Sequence, residues 1–384
     1  VVTPRDAEEQ RSAVRALLMA PLMGREHDAL PSVRRHADVL RDWFAREAGW
    51  PLIVERDGAR LYKRPGDTTD ATRGLPGFDR QRYVLLCLAA AVLERAESQI
   101  SLQQLGERLL REAAAPGLAG FRFALDSQGE RRALVAVCRM LMSLGVLERV
   151  AGDEESFVAG RAGAQGDALY DLRRRALSGL LAAARGPSTW PADAAPAGFD
   201  ERLAALVAEP GIDSEDSRRS AARHRLARRL LDDPVVYLED LNEDDRAYFA
   251  NQRGAMAARL AEASGMASEQ RAEGSALTDT DADLSDLTLP DEGTDAHVTL
   301  LVAGWLARRL RRGEPRAELG AIEAQIAALR EPFGRYWRKS ARASGSEAEL
   351  AAIAVKRLEA LGLLQRDGEA VFARPALARY GDGA

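Results

Sequence analysis

Cysteine is nearly absent, with only Cys87 and Cys138 in 384 residues. Both lie in apolar helical runs, which excludes a disulfide framework and predicts buried free thiols in a reducing compartment. Aromatic residues are only 5% of the chain, and with alanine, leucine and arginine dominant this favours helices over large sheets. No apolar run is long: "YVLLCLAAAVL" (83–93) falls short of a bilayer and ends in charge. No basic segment followed by an apolar stretch opens the sequence, so a cytoplasmic protein with no membrane partner is expected. Positive charge is not in excess either. The 54 basic and 59 acidic side chains leave −5, so no global field draws the chain to nucleic acid, and any DNA contact has to come from local patches. His27, His36, His224 and His297 are scattered without metal-ligand spacing. Phosphate loops, dinucleotide turns and nucleophile elbows are missing. No metal, cofactor or catalytic residue is therefore expected.

What is present is a recurring shape. The chain is too long for one ordinary core, and 46% apolar with 29% charged residues describes a globular protein of two or three domains. "LGLLQRDGEAVF" (361–372) reads as a strand, a turn and a strand behind a helix, and "LGVLERVAGDEESFVA" (144–159) repeats it. "AGWPLIVERDGARLYK" (48–63) and "ASGMASEQRAEGSALT" (263–278) look like two more. The glycines keep step: Gly49 and Gly58 are nine apart, as are Gly265 and Gly274, while Gly58 to Gly145 is 87 residues and Gly274 to Gly362 is 88. An internal duplication over about 1–190 and 200–384 is inferred. Ser127 with Glu130, and Ser346 with Glu349, have the spacing of capping boxes. Behind each, apolar residues recur at the helical period as far as Gly145 or Gly362. Upstream of each lie an apolar helix (83–95, 297–311) and a polar-faced one (101–114, 316–329).

The predicted fold is mainly α with small β-ribbons (α+β), with tandem winged-helix domains in an internally duplicated chain. The expected division is a helix–ribbon extension at 1–79, a winged helix at 80–190, a helix–ribbon region with an acidic linker at 191–295, and a second winged helix at 296–384. The helix–ribbon units, about 33–64 and 244–279, are either extra wing-like modules or extensions of the following sheet. Segments 64–79, 186–198 and 279–295 read as surface linkers. The last is acidic, and is either a solvated loop or a mask over a basic surface.

Chemistry is sparse. In "DDPVVYLEDLNEDDRAYF" (232–249), Asp232 and Asp245 are the carboxylates a metal-dependent nuclease would use, but Asn242 with Asp245 reads as a helix cap and no lysine lies near. Two basic clusters stand out. "FGRYWRKSAR" (333–342) interleaves Arg335, Arg338, Lys339 and Arg342 with aromatics, as a phosphate-tracking surface requires. "RRSAARHRLARRLLDD" (218–233) places Arg218, Arg219, Arg223, Arg225, Arg228 and Arg229 at helical spacings, for DNA, a protein partner or ion pairing. The third helices carry few basic groups: Arg131, Arg132 and Arg139 in one, Lys356 and Arg357 in the other. That is thin for a sequence-reading winged helix.

Four stretches, "RSAVRALLMAPLM" (11–23), "WFAREAGWPLIVERDGARLYKRP" (43–65), "YVLLCLAAAVLERAESQISLQQLGERL" (83–109) and "RHRLARRLLDDPVVYLEDLNEDDRAYF" (223–249), resemble a bacterial family of Wadjet-type plasmid-defence operons. "DDPVVYLEDL" and "GARLYK" are the most specific parts. The resemblance implies a kite subunit, tandem winged-helix and MukE-like, with no enzymatic activity. It implies a homodimer that grips a kleisin, and through the kleisin an SMC ATPase and a nuclease subunit. Sequence-nonspecific DNA contact is a further expectation, and it rests on the basic patches. A winged-helix DNA-binding transcriptional regulator is the alternative.

Overall fold

The structure is a computed structural model that describes residues 3–70, 73–118, 120–160, 167–183, 186–191, 193–209 and 214–381. The chain is mainly helical with small antiparallel three-stranded sheets, an α+β fold. It divides into two compact units, residues 1–64 with 68–210, and 65–67 with 211–384.

Unit 1 opens with α1 (Pro4–Met19), β1 (Leu22–Gly24), α2 (Leu30–Arg35), α3 (Ala37–Ala48), β2 (Leu52–Val54) and β3 (Gly58–Leu61). Thr3 starts α1 with a full capping box, its hydroxyl accepting the Asp6 N–H while the Asp6 carboxylate accepts the Thr3 N–H. One face of α1 then buries Ala13, Val14, Leu17 and Leu18, each leucine contributing about 1.5–3 kcal/mol by leaving water. After α3 the chain turns at Gly49, and Trp50 is fully buried with its indole N–H donating to the Arg64 carbonyl at 2.9 Å. A second module follows: α4 (Arg80–Glu94), β4 (Gln99–Ser101), α5 (Leu102–Ala113), α6 (Gln128–Ser143), β5 (Leu147–Gly152), α7 (Glu154–Val158) and β6 (Ala168–Leu172), then α8 (Arg174–Ser178) and α9 (Phe199–Val207). Ser101 and Ser127 cap α5 and α6 with complete boxes.

Unit 2 contains α10 (Glu215–Asp232), β7 (Val236–Tyr237), a 3-10 turn (Leu238–Asp240), α11 (Glu243–Ser264), β8 (Ala267–Gln270) and β9 (Gly274–Thr278). Its second module runs α12 (Thr294–Arg311), β10 (Arg316–Glu318), α13 (Leu319–Phe333), two 3-10 turns (Gly334–Tyr336, Lys339–Arg342), α14 (Glu347–Ala360), β11 (Leu364–Asp367) and β12 (Ala370–Ala373).

Among the described residues the strands form four sheets with one order, first–third–second: β1-β3-β2, β4-β6-β5, β7-β9-β8 and β10-β12-β11. Each sheet follows the same run of helix, strand, helix or helices, and two strands. The stretches read as helix and ribbon alone therefore also hold an opening helix and strand. Those strands escape sequence reading because β1 has three residues and β7 two, too few to show alternation.

The spaced glycines occupy matching places. Gly49 and Gly265 end α3 and α11 with φ of 60° and 75°, and Gly145 and Gly362 follow α6 and α14 with φ of 69° and 65°. Gly58 and Gly274 each open a third strand, paired with Gly24 and Tyr237 respectively. There the backbone crosses a first-strand carbonyl so closely that a Cβ would sit 2.7 Å from Met23 O or 2.2 Å from Val236 O. Only glycine fits that approach.

Three expectations need correction. The stretch 144–159 is not a strand, a turn and a strand: β5 is followed by α7, which Asp153 caps, and the strand that pairs with β5 is β6, beyond that stretch. Ser346 does not cap α14: its backbone is already helical and no side-chain cap bond forms. Its hydroxyl instead donates to the carbonyls of Ala341 (3.0 Å) and Ala343 (2.8 Å), offered by the 3-10 turn just before it. And while Cys138 is buried, Cys87 is exposed, because it lies on the face of α4 opposite the buried Leu85, Ala89, Val92 and Leu93.

Candidate functional site

The basic segment 333–342 forms the connection between α13 and α14 in unit 2. Trp337 is buried and anchors it. Arg338 is fixed from both ends: its N–H donates to Thr294 Oγ1 at 2.7 Å, and its guanidinium reaches Asp295, Glu349 at 3.3 Å and Ser340 Oγ at 3.1 Å. Arg342 donates back to the carbonyls of Trp337 (2.7 Å) and Arg335 (3.1 Å). Both therefore brace the loop. Arg335 lies over the Tyr336 ring at 4.6 Å, Tyr336 is 60% exposed, and Lys339 is exposed. Of the four basic residues singled out, Arg335 and Lys339 face outward with an exposed aromatic ring between them in sequence.

The acidic segment 279–295 masks part of this region. Asp295 holds Arg338, and Asp291 pairs with Arg357 of α14 at 3.3 Å. Asp279 is engaged locally, accepting the Leu284 N–H at 2.8 Å.

The arginines of α10 are mostly spent within unit 2. Arg225 donates to both oxygens of Asp245, at 3.1 and 2.5 Å, and Asp245 accepts the Asn242 side-chain N–H as well. Arg229 pairs with Asp233 at 3.0 Å, and Arg219 with Glu215 at 2.9 Å. Arg228 and His224 are buried, and Arg218 has its own partners. Of the row of basic side chains seen in sequence, Arg218 and Arg219 thus stay exposed, Arg225 turns to Asp245 of α11 and Arg228 is buried. The nuclease carboxylates are not brought together as a site: Asp245 is bound by Arg225 and lies in the first turn of α11, which Asn242 caps by accepting the Asp245 N–H, while Asp232 ends α10. Among the described residues no group of three or more His, Cys, Asp or Glu is placed to hold a metal ion. None of the helices there is long and apolar enough to cross a membrane.

The third helices are also engaged. α7, inserted between β5 and β6, packs on α6: Arg131 donates to the carbonyls of Val158 (3.2 Å) and Leu125 (2.9 Å), and Arg139 pairs with Glu155 at 2.6 Å. Behind them lies a buried polar set in which the Tyr170 hydroxyl donates to Glu154 at 3.1 Å and Arg149 pairs with the same carboxylate at 2.8 Å. Burial, with the Glu154 charge, pushes the neighbouring Cys138 thiol up to about 12.

Each unit carries a seam between its two modules at matching positions. In unit 2 the Tyr237 hydroxyl of β7 donates to the Gly362 carbonyl at 2.8 Å. Arg374 stacks 3.6 Å from the Tyr237 ring centre and pairs with Glu239 and Asp240 at 2.9 Å. In unit 1 the counterpart, Gly24 of β1, faces Gly145, and Arg60 donates to the Gly179 carbonyl at 2.6 Å. Beside that seam Met19, Pro21, Leu22, Leu144 and Leu180 line a mainly apolar groove of about 280 Å3.

A family model described as "Protein of unknown function (DUF2398)" matches residues 14–383, nearly the whole chain. The chain belongs to the DUF2398 family. No curated protein matches it. In this DUF2398 member the match spans all four modules, so the seams and the four-sheet layout lie inside the family region. One basic place in it was missed by sequence reading. Arg25, Arg34 and Arg56 converge on one surface pocket of the first module, and no run of basic residues announces it because they come from three separate elements.

Proposed function

We propose that this DUF2398 chain is a non-enzymatic, architectural subunit of kite type, a tandem winged-helix protein that dimerises and grips the kleisin of an SMC-type plasmid-defence complex. The observation that carries this reading is the fourfold recurrence of one helix-and-sheet layout. Repeated modules joined by seams supply several similar surfaces along one chain, which suits holding successive segments of a long flexible partner. The resemblance of "GARLYK" and "DDPVVYLEDL" to the defence-operon family supplies the identity of that partner. In this reading the SMC ATPase and the nuclease are reached through the kleisin, and the protein works in the cytoplasm.

A transcriptional regulator is less well supported. α7 covers α6, and on α14 Arg357 is tied to Asp291, which leaves Lys356 as the exposed basic residue named there. Neither third helix offers the basic, open face that major-groove reading needs. The test is co-expression with the kleisin encoded beside the gene, followed by affinity capture and light scattering. A stable complex containing two copies of this chain is expected. A monomer that fails to retain the kleisin, but protects a palindromic site in a footprint at physiological salt, would establish the regulator instead.

A further inference from the structure

The pocket ringed by Arg25, Arg34 and Arg56 has a volume of about 290 Å3, and Leu30, Pro31 and Asp57 complete its wall. Arg25 follows β1, Arg34 lies on α2, and Arg56 with Asp57 forms the turn between β2 and β3. Three guanidiniums face one carboxylate. The contact between Arg25 and Asp57 is loose, 3.8 Å with both side chains more than half exposed (65% and 59%). Arg34 and Arg56 have no carboxylate partner among the described residues, and both are exposed. Elsewhere Arg225, Arg229, Arg330, Arg338 and Arg374 reach carboxylates. Water and salt weaken the repulsion of like charges gathered at one place, but do not reverse it. A bound anion does.

The fold does not require these arginines. Gly24 pairs with Gly58 as Tyr237 pairs with Gly274. The turns match as well, the Glu55 N–H donating to Gly58 O at 2.8 Å and the Arg271 N–H to Gly274 O at 2.9 Å. Arg25, Arg56 and Asp57 therefore correspond to Leu238, Ala272 and Glu273, none of them basic. The charge is a property of the first module.

The surroundings point to the class of ligand. Four of the six lining residues are charged, and only Leu30 and Pro31 are apolar. The centre of a protein-docking surface is depleted of charge and anchored by aromatic or aliphatic groups, whereas nucleic-acid interfaces are polar and positive. Guanidinium forks match phosphate oxygens, and three of them can surround one tetrahedral group. We propose that this pocket binds a backbone phosphate of nucleic acid, independently of base sequence. The inference goes beyond the architectural reading and stands or falls separately from it.

The test is a titration of a short fluorescein-labelled DNA duplex with the full chain, followed by anisotropy over a series of salt concentrations. Arg34→Glu/Arg56→Glu is expected to weaken binding about tenfold or more and to lower the slope of log K against log salt by about 1–2, near 0.9 for each phosphate no longer neutralised. Arg34→Gln/Arg56→Gln should weaken it less, and covers the case in which charge reversal disturbs folding. Asp57→Asn, which removes the pocket's one carboxylate, should tighten binding. The proposal is overturned if the wild-type chain does not bind the duplex, or if affinity and slope are unchanged in both double variants. It is also overturned if the variants keep duplex binding but lose a co-purifying partner, which would assign the pocket to an acidic protein segment. A variant that loses the duplex while retaining dimer and kleisin supports both readings, and unchanged duplex binding with the kleisin retained defeats the pocket alone.

Discussion

At the scale of single residues, burial decides the behaviour of the two thiols. Cys138 is fully enclosed and its thiol is held up at about 12, against an ordinary 9.0, by burial and by the Glu154 charge. Burial likewise raises the Tyr237 phenol from 10.0 to about 12. Between pH 9 and 12 the unfolded chain has released protons that the folded chain still binds, so stability must fall as pH rises through that window. The slope is about 1.4 kcal/mol per pH unit for each fully shifted group. Urea midpoints measured from pH 7 to 10.5 should decline above pH 9, and Cys138→Ala should flatten the first part of that decline. An identical slope in the variant would remove the thiol from the account. A thiol reagent at neutral pH should modify Cys87 in the native chain, and Cys138 only in denaturant. Sequence showed that both cysteines sit in apolar helices. It did not show which face each occupies, because α4 is apolar nearly all round.

At the scale of elements, caps and turns were largely legible. The box at Ser127 forms as the spacing predicts, with the Glu130 N–H donating to the Ser127 hydroxyl at 3.1 Å and the Ser127 N–H donating to the Glu130 carboxylate at 3.2 Å. The same spacing at Ser346 fails, since a preceding turn offers that hydroxyl two carbonyls and Glu349 turns to Arg338. Ser127→Ala should accordingly cost about 1 kcal/mol, whereas Ser346→Ala loses no cap and should cost less. Denaturant unfolding of the two variants compares them directly, and an equal or reversed loss would contradict the difference in geometry. The first strands were not legible. A strand of two or three residues such as β7 exists only because β9 pairs with it, so its signal lies in the partner rather than in its own residues.

At the scale of the whole molecule, the twofold glycine spacing and four recurring helix–ribbon stretches were readable, and the first strand that completes each sheet was not. The seams tie modules into units, and Arg374 is the clearest single clamp, 17% exposed and shared between Glu239, Asp240 and the Tyr237 ring. Arg374→Ala uncovers the ring and leaves two neighbouring carboxylates unneutralised, with an expected cost of about 2 kcal/mol, between the values for exposed and buried pairs. Arg374→Lys keeps the charge without the planar stack and should recover part of that loss. In a calorimetric scan the unit 2 transition should move down by about 4–8 °C, and an unshifted scan would show that the clamp does not hold the seam.

Periodicity, capping residues and turn glycines act within a few positions of one another, so the sequence by itself determined where most helices begin and end and where three of the four strand pairs fold, the exception being β5 and β6, which α7 separates. It also placed the two basic clusters at 218–233 and 333–342. Only the tertiary structure decided which of those charges remain outward. Arg225 and Arg338 meet carboxylates 20 and 43 residues away, while Arg25, Arg34 and Arg56 are gathered from three elements into one pocket. Charge acts through distance in space, and that distance is set by the packing of the modules rather than by order along the chain.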